Sequence, residues 1–378
     1  MADTKQQQQH EAATTATTID EGVKDRALGC MVGAFLGDAI GAVLEMMGRT
    51  PSAKQVEAAM RLPGGGVHSV GPGQITDDSE LALALAQGLL NGSAAGERGF
   101  PLGHIAREYH AWYCSMPFDC GITCGGAFRA ASKLEREGAA VREYGPQLQR
   151  AAVYLNQRSK ANGSVMRCTP LAVWGRSLPT EQLGVCCVLD SQLSHCNAAC
   201  CGAEAAYVLA CAHLINHPND TTGAFDRAQA WLASYGATFA EVSQWLEQSR
   251  SRLEPCSPLD GFVKIAFIAA FYHMLHRTPY TDAISTTIAG GGDTDTNAAI
   301  VGGMLGALYG YAALPDTLVQ QMIHSQPGGR ARAERWWPVQ LPQMVDSLLA
   351  ASPTTLEPPP TMTATTEGSL QCIYEPTA

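Results

Sequence analysis

From Gly29 to Gly41 the chain reads GCMVGAFLGDAIG, with glycine at every fourth position: Gly29, Gly33, Gly37 and Gly41. Residues four apart on an α-helix lie one above the other. The segment GVKDRALGCMVGAFLGDAIGAVLEMM therefore presents a stripe without side chains, shaped for close approach of another helix. GxxxG spacing also serves membrane helix pairs. Here Asp38 and Glu45 interrupt the apolar run, and what remains is too short to span a bilayer. The stripe is expected in a close-packed core.

Further helices are expected over DDSELALALAQGLL, with Leu81, Leu85 and Leu89 at spacing four, and over EQLGVCCVLDSQLSH, CNAACCGAEAAYVLACAHLI, LDGFVKIAFIAAFYHMLH and NAAIVGGMLGALYG. β-branched alternation is scarce. The expected fold class is all-α, a compact multi-helix bundle rich in Gly and Ala. Residues 1–21 are Gln/Thr-rich and 352–378 Pro/Thr-rich, and both read as disordered tails. Residues 22–351 read as one domain.

The 378 residues are 46% apolar and 16% charged, with net charge −10 and pI about 5.5. An acidic chain argues against nucleic acid or an anionic membrane as partner. The N-terminus lacks the apolar core of a signal peptide. With 13 cysteines, an odd number, reduced thiols in the cytoplasm are expected. The cluster SHCNAACCGAE lacks the second CxxC pair of a zinc finger and reads as small-residue helix packing. GGGDTDT lacks the Gly-Lys-Ser/Thr ending of a phosphate-binding Walker loop.

Two turns share a pattern. GPGQITDDSELALALA places Thr76, Asp77 and Asp78 after a Gly/Pro turn and before a helix. IAGGGDTDTNAAIVGGMLGALYG places Asp293, Asp295 and Thr296 after three glycines and before a helix. One reading is helix capping, which Asp and Thr perform well. The other is cation binding. A cap needs one carboxylate, whereas neighbouring carboxylates facing an apolar bundle repel each other and are costly to bury. Hard oxygen donors of this kind suit Mg²⁺ or Mn²⁺. If the turns meet, a pair of cations roughly 3.5–4 Å apart is a natural occupant.

Five blocks in order, ALGCMVGAFLGDAIGAVLE, GQITDDSELALALA, NGSVMR, SHCNAACCGAEA and GGGDTDTNAAIVGGMLGALYG, resemble the ADP-ribosylglycohydrolases, with the bacterial dinitrogenase reductase-activating type the nearest in pattern. The resemblance implies an all-α fold around two Mg²⁺ (or Mn²⁺) ions. It implies metal ligands Thr76, Asp77, Asp78, Asp293, Asp295 and Thr296, with Glu45, Asp78 and Asp293 carrying the chemistry. It implies ADP-ribose contacts at Gly121, Ile122, Thr123, Asn162, Gly163, Ser164 and His195. Arg167 is expected to pair with an inward acid such as Asp38. The bacterial type carries an acid where this chain has Ile122, and Asp119 is not an obvious replacement.

The activity implied is metal-dependent hydrolysis of the bond between ADP-ribose and a protein side chain, with mono-ADP-ribosyl-arginine favoured. Alternatives are serine-linked ADP-ribose, poly(ADP-ribose), or a non-catalytic ADP-ribose binder or crystallin-like relative. The expected partners are an ADP-ribosylated protein and ADP-ribose itself, and a monomer is expected.

Overall fold

A computed structural model describes residues 19–256, 261–325, 331–364 and 370–373. The chain is about 66% helical, as the patterning predicts. The helices that position the site and its core, in chain order, are α1 (Glu21–Gly41), α2 (Asp77–Ala94), α3 (Leu102–Cys114), α4 (Ile122–Phe128), α5 (Thr180–Ser191), α6 (Ala198–Asn216), α7 (Val263–Leu275), α8 (Tyr280–Ala289) and α9 (Thr294–Tyr309), with further helices between them.

The glycine stripe of α1 meets a second stripe on α9, and no other helix pair packs so extensively. A Cβ built on Gly29 would lie 2.4 Å from Gly306 O, on Gly33 2.4 Å from Gly302 O, and on Gly37 2.2 Å from Ala298 O. At Gly41 it would lie 2.4 Å from the Cα of Asp295. The exclusion is mutual, since a Cβ on Gly306 would lie 1.9 Å from Gly29 O. Partner numbers fall as α1 numbers rise, so the helices run antiparallel with backbones in direct contact. Tyr280 donates to Gly33 O at 2.7 Å and Thr294 Oγ1 to Gly41 O at 2.7 Å. This register carries the C-terminal end of α1, with Asp38 and Glu45, to the N-terminal end of α9.

Helix α6 is apolar all round and lies in the core, as expected for a helix with no polar face. By length and hydropathy it could cross a membrane, but its apolar stretch is 89% buried within the protein.

Local structure reaches into both terminal stretches. Asp20 accepts from Val23 N at 3.0 Å and caps α1, which starts at Glu21; residues 1–18 lie outside the described residues. At the other end, residues 352–360 follow the body surface. Leu356 is buried, its N–H donates to Gln182 Oε1 at 2.9 Å, and Glu357 N donates to Arg98 O at 3.0 Å. Thr361–Ala364 then pairs antiparallel with Leu370–Ile373. Prolines stop a helix but permit extended chain, and one buried leucine anchors it.

Candidate active site

Two glycines make the α9 turn possible. Gly291 and Gly292 both have φ +73°, a left-handed conformation that side chains disfavour. Gly292 O accepts from Met46 N at 3.1 Å, binding the segment after Glu45 to this turn. Asp293 is the N-cap residue of α9 and Thr76 that of α2, yet neither side chain makes a capping hydrogen bond. Asp293 Oδ2 instead accepts from Asn162 Nδ2 at 2.7 Å. Capping is therefore not the reason these residues are here.

The acidic turns converge. Carboxylate oxygens of Asp38, Asp78 and Asp295 lie within 4.8 Å of one another, as do those of Glu45, Asp293 and Asp295, so Asp295 joins two clusters. Asp77 faces the same space and accepts from Gly121 N at 3.3 Å. With Asp119, seven carboxylates gather here. Among the described residues no Lys or Arg side chain forms an ion pair with any of them.

Burial pushes the carboxyls of Asp77, Asp78 and Asp295 well above the usual range, and neighbouring carboxylates add to it. Burial raises Asp38 to about 6 against four hydrogen bonds from Thr76 and Ser79. Burial and the charges of Asp119 and Asp293 raise Glu45 to about 8. Asp78 Oδ1 is buried with no hydrogen-bond partner. Hard oxygens, excess negative charge and an orphaned carboxylate oxygen fit a divalent cation.

The clusters open on a cleft of about 180 Å³, walled by Gly121–Cys124 at the start of α4, by the 161–163 turn and by His195. The family model described as ADP-ribosylglycohydrolase matches residues 20–355. The chain belongs to that family, whose members are glycosyl-bond hydrolases. It is 28% identical over 302 residues to the ADP-ribosyl-dinitrogen reductase glycohydrolase of Rhodospirillum rubrum, covering 78% of this chain and 89% of that protein. It is 26% identical over 319 residues to an ADP-ribosylarginine hydrolase of Pseudomonas putida, covering 82% of this chain and 77% of that protein. A solved structure titled an ADP-ribosylglycohydrolase-related protein complex matches in fold, with TM-score 0.66 at 22% identity over 88% of this chain and all of that one.

In this ADP-ribosylglycohydrolase most of the residues singled out in the sequence come together. Glu45, Asp77, Gly121, Ile122, Thr123, Asn162, Gly163, His195, Asp293, Asp295 and Thr296 line the cleft. Thr76 and Asp78 stand behind the lining, in hydrogen-bond contact at 3.3 Å. Ser164 is fully buried away from the cleft, and its hydroxyl accepts from Ser191 Oγ at 3.0 Å. Ile122 is 94% exposed at the mouth.

The expected Arg167–Asp38 pair does not form. Asp38 is enclosed by donors of α2: Thr76 N at 3.0 Å, Thr76 Oγ1 at 2.9 Å, and the amide and hydroxyl of Ser79. Arg167 lies behind the 162–164 turn, paired with Asp190 at 3.3 Å and stacked 4.4 Å over the Tyr109 ring. The Cys/His cluster likewise uses its thiols for packing: Cys200 donates to Ala161 O at 3.3 Å and Cys201 to His195 O at 3.5 Å.

Three acidic-site residues escaped the sequence reading in this role. Asp38 had a signal, an acid set inside the glycine stripe. His68, in the glycine-rich stretch GGGVHSV, sits 3.1 Å from Glu45 Oε2 and 3.4 Å from Asp119 Oδ2. It is near enough for charge contact but off the line of a hydrogen bond to Glu45. Asp119 carries no pattern beyond its type, since a loop of irregular backbone brings it in.

Proposed function

We propose that this protein hydrolyses the glycosidic bond joining ADP-ribose to a modified arginine side chain, in a reaction that requires divalent cations. The observation that carries this reading is the meeting of the 76–78 and 293–296 turns on one cleft, beside Asn162, Gly163 and His195. The relatives named above act on ADP-ribosylated dinitrogen reductase and ADP-ribosylarginine. The family resemblance, not the geometry, supplies the number two for the ions and Mg²⁺ or Mn²⁺ as their identity.

Asp77, Asp78, Asp293 and Asp295, with the hydroxyls of Thr76 and Thr296, would hold the cations. When bound, cations at these oxygens neutralise the carboxylates, orient ribose hydroxyls and acidify water. The chain's own groups do the rest. The Asn162 amide fixes the Asp293 carboxylate. The 121–123 and 161–163 backbone forms the walls against which the sugar and diphosphate rest. Glu45, at the edge of both the cleft and the acidic cluster, is placed to hold or move a proton at the attacking water. As the bond at C1″ lengthens, oxocarbenium charge builds on the ribose, and the ring of anionic oxygens stabilises it.

The acidic mouth favours a cationic acceptor. Glu45 and Asp119, the lining acids outside the cation ligand set, face the space that the departing group must cross, and a guanidinium complements them where a serine hydroxyl does not. The complete carboxylate set also argues against a non-catalytic binder. A monomer is proposed as the acting unit. The free cysteines suit a reducing cytoplasm.

The test is release of ADP-ribose from arginine-linked and serine-linked peptides, with Mg²⁺ and with EDTA. Turnover of the arginine peptide, abolished by EDTA, is expected. Turnover of the serine peptide alone would overturn the acceptor assignment, and ADP-ribose binding without any turnover would overturn the activity.

A further inference from the structure

His195 is 1% exposed, lies on the cleft wall and, among the described residues, has no hydrogen-bond partner for one ring nitrogen, Nε2. Nε2 faces Gly163: a Cβ there would come within 3.2 Å of it. Whether that nitrogen offers a proton or a lone pair decides what the wall can recognise. A neutral imidazole carries its proton on one nitrogen only, and the bond made by the other nitrogen selects which.

The other nitrogen, Nδ1, is 2.8 Å from Ser194 Oγ. The same oxygen accepts from Arg167 Nη1 at 2.8 Å. A guanidinium is always a donor and never an acceptor, so the direction of that bond is settled. Arg167 cannot turn away. Its second Nη1 proton goes to Gly163 O at 3.2 Å, while Nε and Nη2 hold Asp190 Oδ2, each at 3.3 Å. Having accepted from Arg167, Ser194 has a single hydroxyl proton to give. It has two neighbours to receive it, His195 Nδ1 and the Cys124 thiol. Imidazole nitrogen is a strong acceptor and thiol sulfur a weak one. A proton on Nδ1 would also aim the positive end of an N–H along the chain toward the buried guanidinium, whereas a lone pair there is stabilised by it.

We infer that Arg167, acting through Ser194, fixes His195 as the Nε2–H tautomer and so presents a permanent hydrogen-bond donor at the cleft wall. The identity of the recipient, an oxygen of ADP-ribose, rests on the function proposed above; the tautomer does not. Burial and the Arg167 charge push the imidazolium of His195 down to about 3. The donor is thus uncharged and unchanging around neutral pH. Arg167 and Ser194 are positioning residues: they act on the ligand only through the ring.

Two measurements on the full chain test this. In protein labelled with ¹⁵N-histidine, long-range ¹H–¹⁵N correlation of His195, assigned by loss of its signals in His195→Gln, should show Nε2 protonated and Nδ1 bare without any ligand. A protonated Nδ1 overturns the proposal, whether or not the protein ever binds ADP-ribose. The second is a double-mutant cycle read by calorimetric titration of ADP-ribose. Ser194→Ala in the wild-type background should weaken binding about tenfold, the scale of one hydrogen bond. Glutamine at 195 carries its own NH₂ donor and needs no tautomer, so Ser194→Ala should cost little in the His195→Gln background. Equal loss in both backgrounds would show that Ser194 merely supports the fold and would overturn the positioning role.

Discussion

Two groups of buried acids lie on opposite sides of the 162–164 turn, and the protein treats them differently. On one side Asp190 and Glu204 are fully buried with Arg167. Burial raises both carboxyls, Glu204 well above its usual range, and the neighbouring Asp190 charge adds to the Glu204 rise. There the two acids share one guanidinium, so the fold itself supplies a compensating charge. On the other side, seven carboxylates gather at or behind the cleft, and among the described residues His68 is the one basic side chain in ion-pair distance of any of them. The fold can bring arginines to buried acids; Arg332 also reaches Glu80, three residues from Asp77, at 2.6 Å. Where it does not, the compensating charge must come from solution. A network closed on its own arginine is structural, and one left open to the cleft is suited to receive cations.

The sharpest way to break the contrast is to remove one acid from each side. Asp293→Ala should lower ADP-ribose release by about a thousandfold or more, the scale seen when a preorganised charged group is deleted. Its thermal midpoint without added metal should hold or rise, because one repelling carboxylate has gone. A calorimetric scan beside the activity assay checks both. Arg167→Met should do the reverse to stability. It strands Asp190 without its cation, which typically costs about 3–5 kcal/mol, and urea unfolding should show it.

This asymmetry was only partly legible in the sequence. The glycine stripe at Gly29–Gly41 declared a close helix contact, and the paired Thr-Asp and Asp-x-Asp turns favoured cation binding over capping, because both signals are local. What the stripe touched was not declared. Its partner stripe, Ala298, Gly302 and Gly306, lies in a segment where Ala, Met and Leu share every face. The partner of Arg167 was misassigned for a related reason. Charge pairing in a core depends on which helix faces which, and Asp38 and Asp190 are equally apolar in context. Asp119 and His68 reach the cleft from irregular loops, where spacing carries no directional information.

The stripe itself can be used to pull the acidic sets apart. Gly33→Ala places a methyl group 2.4 Å from Gly302 O, a backbone atom that yields only if α1 and α9 separate. Overpacking of this kind costs about 1–3 kcal/mol. Since Asp38 rides on α1 and Glu45 on the turn that follows it, while Asp293 and Asp295 sit at the start of α9, activity should fall by more than stability alone explains. Gly22→Ala is the control. It lies on the same helix, where its methyl would meet only side-chain ends, Arg26 Nη1 at 3.0 Å and Asp20 Oδ1 at 3.1 Å, so activity should stay near wild type and stability should change less than in Gly33→Ala.

The smallest effect is the most diagnostic of the contrast. Glu45, Asp77, Asp78 and Asp295 have folded-state values above those of the unfolded chain, Glu45 at about 8. Between pH ~4, where free carboxyls ionise, and pH 8, the metal-free fold binds more protons than the unfolded chain. By linkage its stability declines as pH rises through that window. A divalent cation occupies the same oxygens and must displace those protons when they are present. Millimolar Mg²⁺ or Mn²⁺ should therefore raise the thermal midpoint little at pH 5 and clearly at pH 8. The gain should approach about 2.7 kcal/mol once the cation is a hundredfold above its dissociation constant. Asp293→Ala should flatten this pH dependence, whereas Arg167→Met, destabilised on the closed side, should keep it. A cation effect equal at both pH values would mean that the clustered carboxylates are not where the cation binds.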